Sequence, residues 1–239
     1  MLVCEASKVT TKPMKTAVAP IRDFISLFFP ACCAGCRGPL LSGEDTLCTD
    51  CLIGLHVVGE SMRLRDRLIH VPGLEKAYAL TDFRRGGTIR NLLHELKYNH
   101  QPEIGRRLGR QLGGTVNQAD AKYDLIIPVP LHKARRRIRG YNQSERIAAG
   151  LSETTGIPLN DKLLIRPRRT HTQTRKTREA RWMNVCDAFH VTEPAGLYQQ
   201  KVLLVDDVIT TGSTAEACAR ELLKNGCSGI AVACIAEVT

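Results

Sequence analysis

One run, Val202-Leu203-Leu204-Val205-Asp206-Asp207-Val208-Ile209-Thr210-Thr211-Gly212-Ser213-Thr214, leaves few folds open to this chain. Its Val- and Leu-rich start reads as a buried strand, and two carboxylates follow at once. A hydroxyl-and-glycine turn then leads into a helix. Acidic side chains at the carboxyl end of a buried strand sit where open α/β sheets bind their ligands. The turn from Thr210 to Thr214 presents backbone N–H groups and hydroxyls at a helix N-terminus, a ready anion site. Ser213 and Glu216 fit S-x-x-E, so a capping box is expected to mark the helix start. Such a site suits a sugar phosphate: the acids take ribose hydroxyls, directly or through Mg²⁺, and the turn takes the phosphate. The alternative, an Asp-capped turn without a ligand, leaves two adjacent acids and five small polar or glycine residues unexplained.

This segment closely resembles the signature of type I phosphoribosyltransferases, the loop that binds 5-phosphoribosyl-1-pyrophosphate (PRPP). The resemblance implies an α/β fold with a mainly parallel sheet flanked by helices. It implies catalytic roles for Asp206 and Asp207, and a 5-phosphate cradle from Thr210, Thr211, Gly212, Ser213 and Thr214.

The cysteines suggest a disulfide protein until their spacing is read. Cys33-x2-Cys36 and Cys48-x2-Cys51 are two knuckles around a segment with Gly38-Pro39, Gly43 and Asp45. Within a knuckle the i, i+3 spacing turns two thiolates toward one ion, and two knuckles complete a tetrahedral Cys4 zinc site. Four protein ligands close that site, so the zinc is expected to stabilise a small ribbon-like module rather than catalyse. Cys32 is a spare, adjacent to Cys33. Cys186, Cys218, Cys227 and Cys234 lie among apolar neighbours and read as buried thiols.

A length of 239 residues allows one sizeable α/β domain plus a small module. The apolar patch from Phe24 to Pro30 is too short to span a bilayer. Residues 1–20 carry Lys8, Lys12 and Lys15 without an apolar core, so they read as a disordered leader and the protein as cytoplasmic. Residues 21–56 form the expected zinc module, 57–75 a linker and 76–239 the phosphoribosyltransferase-like domain. The formal charge of +10 is concentrated in two runs. One holds Lys133, Arg135, Arg136, Arg137, Arg139 and Arg146; the other holds Arg166, Arg168, Arg169, Arg175, Lys176, Arg178 and Arg181. Both point to polyanions, whether a pyrophosphate-bearing small molecule or nucleic acid.

Within the larger domain, Ala77–Phe83 and Asp124–Pro130 read as strands, and Gly229–Val238 as a last strand. Ile89, Leu92, Leu93 and Leu96 form a helical stripe; Ile104, Leu108 and Leu112 mark another, which Gly113-Gly114 is expected to stop. Helices are also expected over Asn142–Thr155 and Ser213–Asn225. Alternating strands and helices imply right-handed crossovers and a parallel sheet.

Pro128-Val129-Pro130-Leu131-His132-Lys133-Ala134-Arg135-Arg136-Arg137-Ile138-Arg139-Gly140-Tyr141-Asn142-Gln143 comes straight off one strand and, with the Cys4 module, resembles the ComF family, which includes GntX-type proteins. Thr172-Gln173-Thr174, Arg178-Glu179, Arg181, Asn184-Val185 and Ala188-Phe189 extend the resemblance over four ordered blocks from Phe24 to the C-terminus. It implies a pyrophosphate-contacting loop with Lys133, Arg135, Arg136, Arg137 and Arg139, and a lid with Gln173, Arg175, Arg178 and Arg181. It also implies an association with competence and DNA uptake. Phosphoribosyl transfer with Mg²⁺ is the expected chemistry, the acceptor being unidentified because no C-terminal hood is expected after the last strand. A binding protein for single-stranded DNA or a competence helicase, and a regulator that senses PRPP, are the alternatives. Few aromatics (5%) argue against a stacking groove, although Tyr141 and Trp182 could serve one.

Overall fold

The computed structural model describes residues 31–83, 87–119, 122–167 and 188–238. Five strands form the main sheet: β1 (Gly59–Glu60), β2 (Leu74–Asp82), β3 (Leu125–Pro128), β6 (Lys201–Ile209) and β7 (Gly229–Glu237). Their order is β1-β2-β7-β6-β3. All neighbouring pairs are parallel except β1 with β2. β4 (Leu164–Ile165) and β5 (His190–Val191) form a separate antiparallel ribbon, and a short helix, α1 (Thr49–Ile53), lies in the cysteine segment. This is the mainly parallel, helix-flanked architecture expected from the alternating pattern.

Alternation along β6 shows how the layers form. Leu203 and Val205 turn to one face, where α3 (Gly87–Tyr98), α4 (Pro102–Gln118) and α6 (Gln143–Thr155) pack. Val202 and Leu204 turn to the other, toward α2 (Met62–Arg67) and α7 (Ser213–Lys224). Every residue of β7 is buried, as a central parallel strand covered on both sides requires. The apolar stripes of α3 and α4 fall on their buried faces, Ile89, Leu92, Leu93 and Leu96 on one and Ile104, Leu108 and Leu112 on the other. Among the described residues no helix is long and apolar enough to cross a membrane.

Several local expectations change. Gly113-Gly114 does not stop a helix, since α4 continues to Gln118. Instead Gly105, Gly109 and Gly113 line up at i, i+4 spacing on the face that meets α6. A Cβ at Gly109 would stand 2.0 Å from the Ile147 carbonyl oxygen, and one at Gly150 2.0 Å from that of Arg106. The two helices therefore touch backbone to backbone.

The expected linker at 57–75 contains β1 and α2, and Gly59 and Glu60 pair with Ala79 and Tyr78. β6 also outlasts its apolar run, because the ladder to β7 continues through Asp206↔Cys234 and Ile209↔Glu237. The acids belong to the strand itself. The Ser213–Glu216 capping box does not form: Gly212 is the N-cap, in the left-handed region at φ 79°, without a side-chain cap bond. A side chain at Gly212 would meet Leu68 Cδ2 at 2.4 Å, so α2 closes over this turn. Glu216 instead accepts from Arg220 one turn on.

Candidate functional site

Parallel strands end together, and the carboxyl ends of β3 and β6 open onto a cleft of about 180 Å³. Asp206 and Asp207 line it together with Lys97, Arg135, Arg139 and Arg166. Val129, Pro130, Leu131, Asn142, Gln143, Ser144 and Thr214 complete the lining. Two acids and four cations lining one cleft can receive an anion whose other portion offers groups to acids.

Each acid has its own setting. Asp206 Oδ1 accepts from Ser144 Oγ at 3.0 Å and from the Asp207 backbone N–H at 2.8 Å. Asp207 Oδ2 lies 2.9 Å from Lys97 Nζ, while its Oδ1 accepts from the Val208 N–H at 2.7 Å. Burial, and then the neighbouring Asp207 charge, push the Asp206 carboxyl up to about 7 against the help of its donors.

This raised value fixes a sign. The unfolded chain ionises Asp206 near pH 4 whereas the folded chain holds its proton to about 7, so stability falls as pH rises through that window. Asp206→Asn keeps an oxygen for both donors. It is expected to raise the melting temperature above pH 7, to have little effect below pH 4, and to flatten the wild-type pH profile between them. Thermal melts from about pH 3 to pH 8 check this.

The cationic wall comes from three places. His132 caps α5 (Lys133–Arg139), so the basic segment expected as a loop is a short helix. Its i, i+4 pair Arg135 and Arg139 shares the face that lines the cleft. Arg136 instead pairs with Glu145 at 2.7 Å. Lys133 and Arg137 are exposed and lie outside the lining. Arg139 stacks over Tyr98, with the guanidinium carbon 5.5 Å from the ring centre. Arg166, after β4, lies 5.2 Å over Phe189, and burial pulls its pKa below the usual arginine value. Of the expected cradle, Thr214 reaches the cleft lining. Thr211 and Ser213 hydroxyls lie 3.0 Å apart at the start of α7, and the Thr210 carbonyl accepts from Arg67. The lid residues Gln173, Arg175, Arg178 and Arg181 lie outside the described residues, as do Trp182 and Cys186.

Sequence reading missed Lys97, Gln143 and Ser144 as site residues. Lys97 sits in the last turn of an ordinary amphipathic helix, where a solvated lysine is the default. Gln143 and Ser144 open α6 and are buried only because that helix starts against β3.

The four cysteines Cys33, Cys36, Cys48 and Cys51 converge, with all Sγ atoms within 4.8 Å of one another. Tetrahedral thiolates at Zn–S distances of about 2.3 Å have edges of about 3.8 Å; Cys36 Sγ and Cys48 Sγ are 3.7 Å apart. Backbone N–H groups of Gly35 and Cys48 each donate to Cys33 Sγ at 3.3 Å. Burial opposes the Cys33 thiolate, but N–H donors led by Cys48 outweigh it and bring the thiol down to about 6. This cluster can hold a metal ion and its donor set is consistent with structural zinc. Cys32 stands outside it, bridging to Pro39. Cys218, Cys227 and Cys234 are buried free thiols.

The cysteine module is docked on α3. Asn91 Nδ2 donates to the Gly35 carbonyl at 3.1 Å, and Arg37 pairs with the buried Glu95. The same helix delivers Lys97 to Asp207, so the module braces an element of the cleft.

No family model matches the chain. The DNA utilization protein YhgH of Salmonella typhimurium is 30% identical over 227 residues, spanning 87% of this chain and 98% of that one. Competence protein F of Haemophilus influenzae is 30% identical over 222 residues, spanning 86% and 96%. Among solved structures, the glutamine PRPP amidotransferase of B. subtilis, complexed with ADP and GMP, is similar at a TM-score of 0.42 and 20% identity. That similarity covers 59% of this chain and 30% of the amidotransferase. Relatives of this identity, matched over nearly their whole length, establish that the chain belongs to the ComF family, that of competence protein F and YhgH.

Proposed function

We propose that the cleft binds PRPP or another ribose phosphate and that the protein transfers a phosphoribosyl group to an acceptor. The observation that carries this reading is the meeting of Asp206 and Asp207 with Lys97, Arg135, Arg139 and Arg166 at the carboxyl end of a parallel sheet. Asp206 and Asp207 would take the ribose hydroxyls and would hold Mg²⁺ shared with pyrophosphate; bound there, the ion supplies neutralising charge to the leaving group. The N-terminus of α7 behind Gly212, which carries no side-chain cap bond, suits the 5-phosphate.

In the transfer, the bond from ribose C1 to pyrophosphate breaks and the leaving group keeps the electron pair. The acceptor's lone pair forms the new bond to C1, and its proton passes to solvent or a nearby carboxylate. Positive charge builds on the ribose ring as negative charge builds on pyrophosphate. The carboxylates face the first and the arginines the second, which is the complementarity that lowers such a barrier. We also infer that the metal at the cysteine cluster is zinc, in a structural role.

The names of the relatives support placing this chemistry in competence and DNA use. A second reading rests on the outward face of α5, where Lys133 and Arg137 are exposed beside Ile138, which is 79% exposed. That face suits the phosphate backbone of single-stranded DNA or a helicase partner. Charge-to-alanine pairs separate the two readings. Arg135→Ala/Arg139→Ala should weaken Mg²⁺–PRPP binding by about a hundredfold, the loss of two charge-assisted contacts. Lys133→Ala/Arg137→Ala should leave that binding within about twofold. The reverse ranking, with salt-sensitive DNA binding lost in the second variant, would favour the nucleic-acid reading.

A further inference from the structure

Gln143 is the first residue of α6 and only 2% exposed, yet it lines the cleft. Its backbone is fixed on both sides. Asn142 Nδ2 donates to the Val129 carbonyl at 3.0 Å, and Asn142 Oδ1 accepts from the Ser144 N–H at 3.2 Å. The amide orientation is fixed as well: Arg139 Nη1 donates to Gln143 Oε1 at 3.0 Å, so the oxygen faces Arg139. Nε2 is then left buried with no hydrogen-bond partner among the described residues. Buried donors are nearly always satisfied, and leaving one unpaired costs stability in the free protein.

The neighbouring groups are already committed. Ser144 donates to Asp206, Lys97 pairs with Asp207, and Arg139 is held between the Tyr98 ring and Gln143. Gln143 Nε2 is a neutral donor with a fixed position beside that arginine. What completes it is an acceptor oxygen arriving with the ligand.

We propose that Gln143 Nε2 donates to a phosphoryl or pyrophosphoryl oxygen of the bound sugar phosphate, with Arg139 gripping the same oxyanion. The inference rests on the sugar-phosphate reading of the cleft and names the side chain that places the anion within it. Arg139 supplies charge; Gln143 supplies direction, and through Oε1 it fixes the guanidinium plane. An unsatisfied donor then becomes satisfied on binding, so stability given up in the free protein returns as affinity.

The test uses opposite signs. Gln143→Leu removes an unpaired buried donor for a side chain of similar volume, so without ligand its melting temperature should equal or exceed wild type. Its affinity for Mg²⁺–PRPP, and for Mg²⁺–pyrophosphate in parallel, should fall about tenfold, as expected for one lost hydrogen bond. A lowered melting temperature with wild-type affinity overturns the proposal, as does affinity within about twofold at any melting temperature. If Gln143→Leu lowers both, the Arg139→Ala background decides, because Oε1 has no guanidinium left to fix there. A further fall in affinity when Gln143→Leu is added to Arg139→Ala supports the donor role, and no further fall overturns it. If the wild type itself binds neither probe, the sugar-phosphate reading fails first and this inference with it.

Discussion

Gly109→Ala is expected to destabilise the protein by about 3 kcal/mol or more, at the upper end for overpacking. The added methyl would lie 2.0 Å from the Ile147 carbonyl oxygen and 3.1 Å from the Ile147 Cα, both backbone atoms that no rotamer change removes. α4 and α6 would have to separate, and the buried stripe of Ile104, Leu108 and Leu112 would lose its contact with Ile147, Ala148 and Leu151. Gly114→Ala, in the same helix, meets nothing within 4 Å among the described residues and should instead stabilise by about 0.5–1 kcal/mol. Urea unfolding of the two variants should thus give opposite signs. Equal effects would show that the helices are not in backbone contact.

Metal removal is expected to have the second large effect. The module around Cys33 and Leu47 contributes few buried side chains, too few to hold four converging thiols without an ion. Metal analysis should find one zinc per chain, lost in Cys36→Ser. Chelation should open residues 31–56 to protease and lower the melting temperature by about 5–10 °C, as loss of roughly 2–3 kcal/mol of docking onto α3 would do. Because Asn91 and Glu95 hold the module and Lys97 follows on the same helix, ligand affinity should fall as well. A chelated protein with an unchanged melting curve would show the cluster to be metal-free in solution.

What could be read from the sequence was what lies together in the sequence. The strand, acids and turn of residues 202–214 are contiguous, and the two knuckles carry their spacing within a short stretch, so both were visible without a fold. Three errors share one cause, which is that tertiary contact overrides local rules. Gly113-Gly114 looks like a helix stop, but the i, i+4 spacing of Gly105, Gly109 and Gly113 was the signal of a close helix pair. Ser213 and Glu216 have capping-box spacing, yet α2 packs over Gly212 and moves the cap back one residue. The 57–75 stretch has too short an alternation to announce a strand, and β1 forms because β2 offers it an edge.

The cleft was half legible. Asp206, Asp207 and the arginines of the first basic run stood out by type. Which of those arginines face inward depended on α5 being a helix, and Lys97 is brought in from α3, far away along the chain. Gln143 was invisible for a different reason: a glutamine gains meaning only when burial removes its water and leaves one donor unpaired.

The most direct test of the central claim is calorimetric titration of PRPP with Mg²⁺ into the wild type and into Asp206→Asn/Asp207→Asn. Saturable binding by the wild type, reduced by about a hundredfold or more in the variant, is the predicted result. Equal binding by both proteins, or none by the wild type while it holds single-stranded DNA, would contradict a ribose-phosphate site built on these two acids.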